Sequence, residues 1–80
     1  MEENMGETFY TKCKYDRGGN ITVMKIYGED NAIIRSFCYE YDEIGYLVRK
    51  LEYDSESLLV LTTQYTYYGN GFIREKIVIE

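Results

Sequence analysis

The chain has 80 residues, a formal net charge of −5, and no histidine, proline or tryptophan. That length limits it to one domain burying only roughly 60% of the surface its unfolded chain exposes. The acidity argues against direct nucleic-acid binding, which draws on clustered Lys and Arg, and the lack of histidine removes Ser-His-Asp and Cys-His catalysis.

The opening MEENMGETF is acidic and lacks an apolar core, so no signal peptide is expected. No stretch approaches the about 18 apolar residues of a membrane span, which leaves a cytoplasmic protein with no membrane partner as the expectation. Residues 1–8 are expected to form an N-terminal extension and residues 9–80 a single β-sheet repeat domain. The two cysteines, Cys13 and Cys38, suit free thiols in a reducing compartment.

From Phe9 onward the chain repeats itself. Tyr15, Tyr41 and Tyr67 lie 26 residues apart, as do Gly19, Gly45 and Gly71, and Ile21, Leu47 and Ile73. The units run from Phe9 to Ile34, Arg35 to Val60 and Leu61 to Glu80, and each reads as strand, tight turn, strand. Asp42-Glu43-Ile44-Gly45 carries Asp where a type I turn begins and Gly where a three-residue hairpin loop needs a left-handed residue. Asp16-Arg17-Gly18-Gly19 has the same signature. Tyr68-Gly69-Asn70-Gly71 replaces the leading Asp with Tyr, so this turn is expected to lack a side-chain acceptor. Gly28-Glu29-Asp30-Asn31-Ala32 and Asp54-Ser55-Glu56-Ser57 read as linking loops. With ten tyrosines and three phenylalanines and no helical periodicity, the fold class is all-β. The expected architecture is a six-stranded antiparallel meander of three 26-residue β-hairpin repeats, forming a curled single sheet or half-barrel.

A three-residue loop pairs Asp42 with Tyr46, hence Tyr41 with Leu47, Tyr39 with Arg49 and Phe37 with Leu51. The same rule pairs Tyr15 with Ile21 and Cys13 with Val23, then Tyr67 with Ile73 and Thr63 with Ile77. Continued strictly, this register gathers the odd-numbered apolar residues on one face and Lys, Glu and Thr on the other. It also sets Lys25 opposite Arg35 across the first linker, an unfavourable pairing that points to a shifted register there.

At these units the chain resembles the YD-repeat family, the Tyr-Asp repeats of RHS-type proteins, with units of the form Y-x-Y-D-x-x-G-x-L. Tyr39-Glu40-Tyr41-Asp42-Glu43-Ile44-Gly45-Tyr46-Leu47 follows the pattern, as does Tyr15-Asp16-Arg17-Gly18-Gly19-Asn20-Ile21. The third unit, Tyr67-Tyr68-Gly69-Asn70-Gly71-Phe72-Ile73, is also similar to the Tyr-x-x-Asn-Gly units of MORN-like repeats. The resemblance implies hairpins that in long arrays build shells around toxin cargo or carbohydrate-binding surfaces; it carries over no catalytic residue.

Chemistry is sparse. Cys13 and Cys38 differ in strand parity, so no metal or redox pair is expected, and no cofactor is implied. The turn carboxylates read as caps of backbone N–H groups. The leading functional expectation is a noncatalytic protein-interaction module that forms a homodimer or docks a partner protein. Its apolar face would comprise Tyr15, Phe37, Tyr39, Tyr41, Leu51, Tyr53, Leu61, Tyr65, Tyr67 and Ile77. A second expectation is a small acidic inhibitor from a phage or mobile element, blocking the basic groove of a nucleic-acid-processing enzyme with the rim Glu29, Asp30, Asp54 and Glu56. A third is carbohydrate binding by the tyrosine row.

Overall fold

Six strands follow one another in space in the order in which they occur in the chain. The computed structural model describes residues 8–80; all but Thr8 of the expected N-terminal extension lies outside the described residues. The strands are β1 (Tyr10–Tyr15), β2 (Ile21–Tyr27), β3 (Ile33–Tyr41), β4 (Leu47–Tyr53), β5 (Leu59–Tyr67) and β6 (Ile73–Ile79). They make one antiparallel meander, β1-β2-β3-β4-β5-β6, with β1 and β6 as open edges, so the sheet is not closed into a barrel.

The turns form as their residues dictate. Asp42 N–H donates to the Tyr46 carbonyl at 2.9 Å and Gly45 N–H to the Asp42 carbonyl at 3.0 Å, closing a three-residue loop. Gly19, Gly45 and Gly71 take φ of 88°, 108° and 93°, where a Cβ would be strained. The segments read as linkers fold the same way: Gly28 N–H donates to the Ala32 carbonyl and Asp54 N–H to the Leu58 carbonyl. There Asn31 (φ 64°) and Ser57 (φ 65°) occupy the left-handed position that glycine fills elsewhere. All five connections are therefore one hairpin type. Each is preceded by a tyrosine and followed, six residues after it, by Ile or Leu: Tyr15/Ile21, Tyr27/Ile33, Tyr41/Leu47, Tyr53/Leu59 and Tyr67/Ile73. The smallest structural repeat is thus half the 26-residue unit, alternating 12 and 14 residues between tyrosines.

Pairing beyond each turn departs from strict alternation. Tyr15 opposes Ile21, Tyr41 opposes Leu47 and Tyr67 opposes Ile73, as the turn chemistry requires. A β-bulge then intervenes after every turn, leaving Thr22, Ile34, Val48, Val60 and Arg74 as extra residues. The expected pairs further along are corrected: Cys13 faces Met24, Tyr39 faces Lys50, Phe37 faces Glu52 and Thr63 faces Val78. Loop geometry fixes only the pair that closes the loop, and one inserted residue exchanges the faces of everything after it. The bulge also removes the Lys25–Arg35 clash, setting Lys25 opposite Ser36 and Ile26 opposite Arg35. It brings Glu40 directly opposite Arg49, whose Nε donates to it at 2.9 Å.

Among the described residues no hydrophobic side chain is buried; Thr63, in the middle of β5, at 6% exposure, and Gly28, in the turn after β2, are the buried residues. The sheet is a single layer. Domains ordinarily bury a sheet face against a second layer, and the described residues supply none to either face.

Candidate interaction surface

The bulges divide the expected docking residues between two faces. On one, called the front, successive pairings align Cys13 and Tyr15 of β1 with Met24 and Ile26 of β2 and with Phe37, Tyr39 and Tyr41 of β3. The same face continues through Lys50 and Glu52 to Leu61, Tyr65, Tyr67 and Val78. Leu51, Tyr53 and Ile77 belong to the back face instead, with Tyr10, Val23, Tyr27 and Cys38. The single ten-residue apolar face is corrected accordingly: Tyr15, Phe37, Tyr39, Tyr41, Leu61, Tyr65 and Tyr67 stay together, and the other three turn away. Cys13 and Cys38 are free and lie on opposite faces, as their parity implied.

Side chains on the front face pack within β3 and between β3 and β4. Phe37 and Tyr39 rings lie 6.4 Å apart, Lys50 Nζ sits 5.0 Å over the Phe37 ring, and Arg35 pairs with Glu52. These are modest contributions, about 0.5–1 kcal/mol for an exposed cation–π contact and about that or less for a surface ion pair.

A more regular device joins successive repeats. The Tyr41 hydroxyl donates to the Ile21 carbonyl at 2.7 Å, and the equivalent Tyr67 hydroxyl donates to the Leu47 carbonyl. Ile21 and Leu47 are the first strand residues after glycine turns, so each tyrosine satisfies a carbonyl beside the bulge of the preceding unit. Burial raises the pKa of Tyr41, with the charge of Asp16 adding to it. Burial likewise raises that of Tyr67, with Tyr65 and Asp42 contributing, and that of Tyr39, with Tyr41 contributing. Tyr46, a turn residue, packs its ring 4.9 Å from that of Tyr67.

The back face is more basic toward β1. Lys12 and Lys25 oppose one another, with Lys12 Nζ 5.4 Å over the Tyr27 ring, and Tyr10 stacks on Tyr27 at 5.0 Å. Lys12, Lys14, Lys25 and Tyr27 line a shallow depression of about 250 Å³.

The turn carboxylates are engaged locally. Asp42 Oδ1 accepts from the N–H groups of Ile44, Gly45 and Tyr46; Asp16 accepts from Gly18 and Asn20, and Asp54 from Glu56 and Leu58. Where the leading Asp is missing, the third turn residue substitutes. Asp30 accepts from Ala32 N–H and Asn70 from Phe72 N–H at 3.2 Å, so the Tyr68 turn keeps an acceptor after all. In the acidic rim, then, Asp30 and Asp54 hold their own turns, Glu29 accepts from Thr8 N–H, and Glu56 makes no side-chain hydrogen bond among the described residues. No group of three or more His, Cys, Asp or Glu among the described residues is placed to hold a metal ion.

Comparison of the chain with protein-family models, curated proteins and solved structures gave no match.

Proposed function

We propose that this protein is a noncatalytic interaction module whose uncovered sheet docks a second copy of itself or a partner protein, with the front face as the principal surface. The observation that carries this reading is that no hydrophobic residue among the described residues is buried. Six strands about 4.8 Å apart and about eight residues long give on the order of 750 Å² per face. Charged residues such as Arg35, Lys50 and Glu52 share that area, and the apolar part of the face is of the order of the largest apolar patches found on soluble monomers, roughly 300–600 Å², which are often interaction sites. Two such faces in contact would bury about 1,500 Å², the size of a stable interface. Phe37, Tyr39, Leu61 and Tyr65 occupy the middle of the front face and would form the centre of the contact. The resemblance to YD repeats fits a unit that ordinarily meets neighbours.

Occlusion of a basic groove by the acidic rim has less beneath it, because Asp30 and Asp54 are committed to their own turns. Size-exclusion chromatography with light scattering, on the chain and on Leu61→Lys, tests the docking reading. A dimer or larger complex that Leu61→Lys dissociates is expected. A monomer at micromolar concentration that binds no hydrophobic dye would overturn it.

A further inference from the structure

The bond from each tyrosine to the preceding unit runs in one direction along the sheet, so among the described residues the array has an unfilled donor at one edge and an unfilled acceptor at the other. Tyr41 reaches back to Ile21 and Tyr67 to Leu47. Tyr15 occupies the same position in β1, has no unit before it among the described residues, and is 61% exposed. Ile73, the counterpart of Ile21 and Leu47, receives no side-chain donor among the described residues and is 54% exposed.

We propose that β6 of one copy pairs with β1 of the next, head to tail, continuing the meander between molecules. Each offset between repeats within the chain defines the register. Val23 opposes Cys38 and Arg49 opposes Gln64; advanced by one 26-residue unit, this sets Glu75 opposite Lys12 of the next copy. The neighbouring pairs become Ile77 with Tyr10 and Val78 with Phe9, while the Tyr15 hydroxyl meets the Ile73 carbonyl. The Glu75, Ile77 and Val78 pairs are matched in kind and in face, and Lys76 falls opposite Thr11. Glu75 and Lys12 are opposite charges on the back, and Phe9 and Val78, exposed at 54% and 51%, are apolar partners on the front. Pairing β1 with another β1 would instead bring Lys12 and Lys14 against their own copies, so the charges favour the head-to-tail arrangement. A heterologous contact of this sort grows as an open chain of molecules unless it closes into a ring. One strand pair is a small interface, so oligomer length rises with concentration rather than stopping at a dimer.

The arrangement is independent of front-face docking, and sedimentation velocity separates the two. Lys12→Glu and Glu75→Lys, both at exposed edge positions, are each expected to weaken the junction by about tenfold when alone. Their equimolar mixture restores it, because every junction in an alternating chain then joins opposite charges; the double variant restores it too. Tyr15→Phe, which changes no charge, also weakens it. Circular dichroism of each variant checks that the sheet is retained; if either charge reversal loses it, Tyr15→Phe and the double variant decide. Oligomers indifferent to all these changes would overturn edge pairing and leave front-face docking standing. A concentration-independent dimer would do the same. A chain that stays monomeric up to about 1 mM would overturn edge pairing and self-docking through the front face alike.

Discussion

The two ends of the sheet are built from the same loop with different residues. At one end Gly19, Gly45 and Gly71 take the left-handed position without a Cβ; at the other, Asn31 and Ser57 take it with one. An L-residue held there carries a penalty of about 1–2 kcal/mol that glycine avoids, and Asn tolerates it better than Ser. The glycine end also holds the tyrosines that bond back to the preceding repeat. Loop geometry is thus common to both ends, whereas the coupling between units is concentrated at one of them.

The sharpest way to break that comparison is Gly71→Ala. A Cβ at Gly71 would meet the Tyr46 hydroxyl at 2.7 Å, in addition to the backbone strain, and would dislodge a ring that packs on Tyr67. A loss of about 2–3 kcal/mol is expected in urea unfolding at fixed protein concentration. Gly45→Ala, with open space around its Cβ, should lose only about 1 kcal/mol. Equal losses at the two sites would show that Tyr46 does not brace the third hairpin.

Next in size is Asp42→Ala, which removes the acceptor of three N–H groups and should cost about 1–2 kcal/mol. Asn70→Ala, removing an acceptor of one, should cost less than half as much by the same measurement.

Tyr67→Phe deletes one inter-repeat bond and should lose about 1 kcal/mol. The pH dependence tests the same tyrosines. Because burial raises the pKa values of Tyr39, Tyr41 and Tyr67 above 10.0, the folded state holds these protons more tightly than the unfolded chain. Their contribution is fully present below about pH 10 and falls as pH rises through the higher folded values. Unfolding followed from pH 8 to pH 12 should therefore show a decline above about pH 10 that is shallower in Tyr41→Phe/Tyr67→Phe; an unchanged slope would contradict it.

The smallest expected effect has the opposite sign. Ser57→Gly relieves left-handed strain at the glycine-poor end and should stabilise by about 0.5–1 kcal/mol, after the greater unfolded-state entropy of glycine is deducted. Asn31→Gly relieves less strain and also loses the bond that Asn31 Oδ1 accepts from the Tyr10 hydroxyl at 2.6 Å, so it should not stabilise. If Ser57→Gly destabilises, its side chain contributes something that the backbone geometry does not reveal.

These contrasts also explain which features were legible. Asp-x-x-Gly marks the three-residue hairpin loops at Asp16 and Asp42, and Asn70-Gly71 marks the third, so three turns, six strands and the pairs Tyr15/Ile21, Tyr41/Leu47 and Tyr67/Ile73 follow from local chemistry. The other turns read as plain linkers because Asn31 and Ser57 lack the glycine signature, although Tyr27/Ile33 and Tyr53/Leu59 carry the same six-residue spacing. The bulges have no composition cue of their own, and strict alternation without them assigns Leu51, Tyr53 and Ile77 to the front face when they lie on the back. Two charge relations pointed to them: the clash between Lys25 and Arg35, and Glu40 lying one position from a direct pairing with Arg49. The inter-repeat tyrosine bonds depend on where a hydroxyl ends in space, which a one-dimensional period does not specify.

The central claim is that a sheet with no buried apolar residue is completed by association. Thermal unfolding followed by circular dichroism at about 5 μM and about 500 μM tests it most directly. A protein stabilised by its own copies should melt about 5 °C or more higher at the greater concentration. The same melting temperature at both concentrations, from a species with monomer mass, would contradict it.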